Sequence, residues 1–346
     1  MDNKMFTRTL IGAAVASIAF SGSALAKPAT ETVDLYGQIA ISIAQNAQGY
    51  EASVDDTADK VIGMDNESRI GVRGVAQFER GPKLIWQLEG GNVGDDGSGS
   101  GLGVRDTYGG FDFDEGGKLY FGRVLTPLFE VLDGYTGQSS GGGFSTGNTG
   151  NVNYDRQSNM IRYDSSDLGG FSFDLAAGRG EESIKGSNIY GASGQFNKGV
   201  VTAKLAYEHN TERPAGGALA LDAEMNSYIA GLNLDFDVFG VHLAYLNSEA
   251  KAINGETGEA SSDAVKVGAY YVGVENWTFN LNYASNSDPE VNGAKVVNNT
   301  SVVTGQAMYS LDPAAVVYVR AVSQKNEVTE GSKSDFGWRV GMEYYF

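Results

Sequence analysis

The 346-residue sequence offers little to a catalyst. It has no cysteine, which removes thiolate nucleophiles and thiolate zinc sites. Its only histidines are His209 and His242. His209 stands beside Glu208 at the edge of a polar stretch, and His242 falls within an alternating run, 241–246. A hydrolase would need a base with a nucleophile or an activated water in reach. Neither histidine is accompanied by a Gly-x-Ser-x-Gly segment. Two distant histidines do not make a histidine-rich metal site. The pairs Asp112/Asp114 and Asp235/Asp237 lack the third acid and the glycine of a calcium loop. No catalytic residue, metal or cofactor is therefore expected. The net charge of −18 also argues against nucleic acid, whose phosphates need a basic footprint.

The informative charges are those set into apolar alternation. The last segment, residues 336–346 (FGWRVGMEYYF), puts Phe336, Trp338, Val340, Met342, Tyr344 and Phe346 on one face. Arg339 and Glu343 share the other face with Gly337, Gly341 and Tyr345. If the aromatic face meets lipid, Arg339 and Glu343 must face a wet interior, since an arginine at mid-bilayer costs ~2–4 kcal/mol. Residues 33–44 repeat the pattern. Val33, Leu35, Ile39, Ile41 and Ile43 alternate with Asp34, Tyr36, Gln38 and Ser42.

The elements that position these residues follow from the rest of the chain. Lys4 and Arg8 precede an apolar run of eleven residues, 10–20, and Ala24-Leu25-Ala26 gives a small-x-small site. That is the pattern of a secretory signal peptide over residues 1–26, leaving 27–346 as the mature domain. Without Asp2, Lys4 and Arg8 the formal charge goes from −18 to −19. No later run of 18 apolar residues exists, so any membrane crossing must be made by strands closed into a barrel. Glycine is 48 of 346 residues and proline only 6, against ordinary usages of ~7% and ~5%. That composition suits strands and tight turns.

The mature sequence divides into about sixteen alternating runs of barrel-strand length. Eight polar connections are long: 46–66, 91–103, 125–152, 178–187, 209–224, 248–262, 286–299 and 325–334. Seven are short: 79–82, 114–117, 165–170, 197–199, 235–237, 274–276 and 311–313. Long and short alternate along the chain, as in an up-and-down meander with turns at one end and loops at the other. The expected fold is all-β: a transmembrane antiparallel up-and-down β-barrel of about sixteen strands, in one domain. The connection 125–152 is long and glycine-rich, and no strand or helix period is read in it. Loops of that length are usually functional or disordered. It is expected to fold inward and constrict the lumen.

At this point the chain resembles the general diffusion porins of the Gram-negative outer membrane. Val33-Asp34-Leu35-Tyr36-Gly37 is similar to that family's first strand, and Ser68-Arg69-Ile70-Gly71-Val72-Arg73-Gly74 to its second. Val104-Arg105-Asp106-Thr107-Tyr108, Tyr120-Phe121-Gly122-Arg123 and Tyr154-Asp155-Arg156-Gln157-Ser158-Asn159 resemble the strands around the constriction loop. The terminal Phe346 resembles the family's assembly signal. The resemblance implies a sixteen-stranded homotrimer in outer-membrane lipid and lipopolysaccharide, passing ions and small hydrophilic solutes. It also implies a basic wall facing the inserted loop, carried by Arg69, Arg105, Arg123 and Arg156. Arg73 shares the parity of Arg69, and Arg162 that of Arg156. Arg123 shares the parity of Phe121, so its place rests on the resemblance alone.

One departure stands out. The family's loop often carries Pro-Glu-Phe-Gly, where this chain has Gly142-Gly143-Phe144-Ser145 and no acid. The loop's remaining acids are Glu130 and Asp133. The expectation is a neutral, flexible narrowing opposite an arginine wall. External acids, Glu51, Asp55, Asp56 and Asp59, then Asp95 and Asp96, then Glu256, Glu259 and Asp263, could bridge through divalent cations to lipopolysaccharide phosphates or simply be solvated. The rival readings are a barrel acting mainly as an adhesin or structural protein, and a barrel hydrolase.

Overall fold

The computed structural model describes residues 32–47, 61–91, 101–136, 144–146, 155–216, 219 and 221–346. Its strands are β1 (Val33–Gln45), β2 (Gly63–Asn66), β3 (Arg69–Ala76), β4 (Lys83–Gly90), β5 (Leu102–Asp112), β6 (Lys118–Leu125), β7 (Arg156–Asp164), β8 (Phe171–Arg179), β9 (Asn188–Lys198) and β10 (Val201–Gly216). They continue as β11 (Leu221–Asp235), β12 (Phe239–Ala252), β13 (Glu259–Val274), β14 (Trp277–Asn286), β15 (Glu290–Val291), β16 (Ala294–Lys295), β17 (Asn298–Asp312), β18 (Ala315–Val328) and β19 (Gly331–Tyr345). β2 and β3 both pair with β1 and make one interrupted wall strand. β15 and β16 form a small hairpin inside one connection, and β14 pairs directly with β17. Nineteen strands, less one for the interruption and two for the hairpin, leave a wall of sixteen.

Every wall pairing is antiparallel between neighbours, and β19 returns to β1 with Gln38↔Tyr345 through Gln45↔Trp338. Closure leaves no unpaired sheet edge, which is what lipid demands. The seam is finished by Phe346, whose N–H donates to the Gly37 carbonyl at 3.1 Å while the Gly37 N–H donates to its carbonyl at 2.9 Å. The phenyl ring lies over Gly37, where a Cβ would come within 2.4 Å of it.

Alternation fixes the two faces. Leu35, Ile39, Ile41 and Ile43 of β1 are exposed outward, and their neighbours Gln38, Ala40, Ser42 and Ala44 are buried inward. Outward aromatics gather where the short connections lie: Phe171, Phe196, Phe236, Phe239, Trp277, Phe279, Tyr344 and Phe346. Tyr190, Tyr207, Tyr228 and Tyr245 form a second outward row farther up. Two aromatic girdles around an apolar band are the signature of a membrane barrel.

The expected loop lengths need correction on one side. The connection expected over 209–224 is mostly strand, since β10 runs to Gly216 and β11 starts at Leu221. Likewise β12 and β13 reach Ala252 and Glu259, and β18 and β19 are joined by residues 329–330 alone. The strict alternation of long and short connections does not survive. Above the apolar band both faces are polar, so side-chain alternation vanishes, yet backbone ladders continue because they need no apolar residue.

The loop 125–152 also differs from expectation. Residues Pro127–Thr136 form a helix, α1. Thr126 caps it, its hydroxyl accepting from the Phe129 N–H at 3.1 Å. Pro127 takes the first helical position, where its missing N–H costs nothing. Leu128, Val131, Leu132 and Tyr135 are buried at helical spacing along one stripe.

Candidate functional site

Helix α1 lies against the inner face of the barrel. Leu128, Val131, Leu132, Tyr135 and the later loop residue Phe144 share one buried cluster with Ala206, Ile229, Ala244, Leu246, Ala264 and Ala284. By register, those six residues of β10 to β14 point inward, Ala206↔Ile229↔Leu246↔Ala264 forming one row. Apolar side chains on a lumen face are explained by this cover. Two glycines make room for it. A Cβ at Gly231 would lie 2.2 Å from the Tyr135 hydroxyl, and one at Gly191 would lie 3.0 Å from Pro127. At the other end of the loop, the Thr146 hydroxyl bonds that of Ser248 at 2.6 Å. Gly142 and Gly143 lie outside the described residues, as do the acids at 51–59 and 95–96 and the segment 1–26.

The arginines divide into three groups. Arg69, Arg73, Arg105 and Arg156 face the lumen together. Register sets Arg69 opposite Gln38 and Arg73 opposite Asp34, both inward on β1. Arg69 lies within electrostatic reach of Arg105, Arg156 and Glu89. Most of the group is paired. Arg73 meets Asp34 at 2.7 Å, and its guanidinium lies 4.7 Å from the Tyr36 ring centre. Arg105 bonds Glu89, which also accepts from the Tyr36 hydroxyl at 2.7 Å and from Gln87 at 3.2 Å. Arg156 meets Asp106 at 2.8 Å and Asp155 at 2.9 Å. The expected basic wall is thus built largely of guanidinium–carboxylate pairs.

A bulge explains how Arg105 and its neighbour Asp106 both reach inward. Between Leu88↔Thr107 and Gly90↔Leu102, β4 advances two residues while β5 advances five. Gly103 takes up the bend with φ +96°. Asp106, without an evident role in the sequence, is the counter-ion of Arg156.

Arg162 forms the second group alone. It is 6% exposed and held by Glu130, by Asp164 at 2.6 Å, by Asp174 at 3.6 Å and by the Leu125 carbonyl at 3.0 Å. It ties the root of α1 to the wall, so Glu130 is engaged beside the helix and is not held out across the lumen. Asp133, the other loop acid, lies in the last turn but one of α1.

Arg123 is the correction among the arginines. It pairs with Thr107 on the face of the outward Phe121, and donates to the Val104 carbonyl at 2.8 Å and the Ser158 hydroxyl at 3.3 Å. The structure does not bring it to the lumen cluster. The sequence reading also missed three inward cations, Lys204, Lys266 and Arg320. Strand parity alone would have found them. Arg320 stands directly opposite Arg339 in the ladder and bonds Gln306 at 2.8 Å, while Arg339 meets Asp65 at 2.6 Å.

The histidines are separated. His209 lies on the outer face against Tyr190, with ring centres 6.2 Å apart. His242 faces inward and bonds the Asn282 amide oxygen at 2.9 Å.

Comparison with known proteins agrees with this architecture. The model of the Gram-negative porin family matches residues 12–329. A chitoporin of Vibrio furnissii is 34% identical over 377 residues, spanning 99% of this chain and 100% of that protein. Among solved structures, an anion-selective porin from Comamonas acidovorans superposes with TM-score 0.72 at 19% identity, covering 91% of this chain and 99% of that one. The trimer form of OmpT from Vibrio cholerae gives TM-score 0.70 at 17% identity, with 91% and 99% covered. A closed sixteen-strand wall, a charged interior and a family match over most of the chain lead to one conclusion: the chain belongs to the Gram-negative porin family, outer-membrane channels through which solutes diffuse passively.

Proposed function

We propose that the diffusion path is narrowed between the loop 125–152 and the wall carrying Arg69, Arg73, Arg105 and Arg156. The observation that carries this reading is α1, seated on inward residues of β9 to β11 with Phe144 in the same cluster. A passive pore discriminates by diameter and lining charge, and low-dielectric walls focus the field of those charges. Because most lumen arginines are paired, size rather than charge sets the main barrier. No reaction is assigned to the chain, since its matched relatives are porins.

The same reading takes residues 1–26 as a cleaved export signal and Phe346 as the assembly signal. It takes the working form as a homotrimer in lipid and lipopolysaccharide. β3, β4 and β6 to β8 are 8–9 residues long, whereas β10 to β13 and β17 to β19 run to 14–16. The low side presents Ile70, Leu88, Leu102 and Val104 outward. Low apolar walls meeting at a three-fold axis fit that assembly. The relative named chitoporin makes chitin fragments the first neutral solutes to test.

In a planar bilayer the purified protein should give stepwise, ohmic conductance. Deleting residues 137–147 should raise the single-channel step or loosen the size limit. A silent bilayer would refute the pore, and an unchanged step and size limit would refute the constriction.

A further inference from the structure

The far end of the inserted loop is tied down by groups that the arginine wall does not include. On β13, Lys266 is 1% exposed and faces inward opposite Ala244 and Ala284. Its ammonium donates to the backbone carbonyl of Tyr135, the next-to-last residue of α1. The last carbonyls of a helix have no partner within it, and the helix dipole favours a cation there. The Tyr135 ring fills the space left by Gly231, so backbone and side chain of one residue are fixed by two strands, β13 and β11, on either side of β12.

Eleven residues on, at Thr146, a second tie uses hydroxyls. Ser227, Ser248 and Ser262 stand directly opposite one another on β11, β12 and β13. All three are inward and at most 3% exposed. The Ser227 and Ser248 hydroxyls are 2.7 Å apart, Ser248 bonds the Thr146 hydroxyl at 2.6 Å, and Ser262 donates to the Thr146 carbonyl at 3.5 Å. Thr146 is wholly buried on this rung of three serines. Phe144, two residues earlier, packs into the same wall.

We propose that Lys266 and the serine rung are the positioning residues of the channel: two moorings that fix how far the second half of the loop projects into the lumen, and so set the aperture. The inference rests on the constriction reading above. The Glu130–Arg162 contact holds the root of α1, whereas these moorings bracket the glycine-rich stretch between 136 and 144. Neither mooring acts across the lumen, so each restrains the loop without placing a fixed charge in the solute path.

The test compares K266M, S248A and their double variant with the native protein and the 137–147 deletion in planar bilayers, each first shown to migrate as a heat-modifiable barrel. Losing one charge-assisted hydrogen bond should populate the loosened loop roughly tenfold more. K266M should therefore show excess open-channel noise, extra sub-levels and closure at lower voltage. S248A should show a smaller effect, and the double variant the largest. K266R, which retains a cationic donor, should be quiet. If K266M alters only the reversal potential and its current stays quiet, Lys266 is a lining charge and the mooring is refuted. Should K266M fail to fold, S248A, which removes one hydroxyl, decides alone, and a quiet trace refutes the proposal. A deletion that widens the pore beside a quiet double variant overturns the moorings alone. A deletion without effect overturns the constriction reading and the moorings together.

Discussion

At the scale of single residues, the lumen is a set of charges most of which are already answered. Arg73, Arg105, Arg156 and Arg162 each hold a carboxylate. Among the described residues, Arg69 and Arg320 make no ion pair with one. An unpaired lumen charge adds its full field to the path, whereas a paired one adds a dipole that fades with distance. R69Q should therefore move the reversal potential in a salt gradient toward cations, by about twofold in the permeability ratio. E89Q should move it the other way, because it frees Arg105. Equal and unmoved potentials in both variants would show that this cluster lies off the ion path. Arg69 and Arg73 were placed by motif and strand parity together, whereas Arg105 and Arg156 rested on the motif. The pairing of Arg105 with Glu89 was not legible, because a bulge that shifts the register of β5 against β4 turns Arg105 inward against the parity of Tyr108. Parity counted along one strand cannot see a bulge opposite it. Arg123 failed for a related reason: the residue type matched the family pattern, while its parity pointed outward beside Phe121.

At the scale of elements, the barrel strands were readable wherever one face is apolar and unreadable above that band, where β10 to β13 continue as polar ladders. Helix α1 had a signature that the glycines around it obscured. Thr126-Pro127 is a cap and first-turn pair, and Leu128, Val131, Leu132 and Tyr135 hold helical spacing. Removing the cap in T126A should cost about 1 kcal/mol at the helix start. Amide exchange at Phe129 and Glu130 should quicken several-fold, with the strands beneath unchanged. Equal exchange in both proteins would show that packing alone holds the first turn.

At the scale of the molecule, closure and assembly meet at one seam. Phe346 bonds Gly37 from both backbone directions while its ring covers the glycine. Deleting Phe346 removes those two bonds and leaves Gly37 uncovered, so folding into the heat-modifiable form should slow markedly in refolding experiments. A variant that folds at the native rate would confine Phe346 to a role before closure. The apolar bed under α1 has a further consequence, one of population. If the loop swung free, Ile229 and Leu246 on the wall and Leu128 and Leu132 on the helix would all meet the water column. Each such side chain is worth about 1.5–3 kcal/mol when buried, so docked molecules outnumber undocked ones by something on the order of ten thousandfold to a hundred millionfold. Emptying the bed would leave a greasy hollow that water itself tends to abandon. Wholesale departure of the loop is thus too rare to act as a gate.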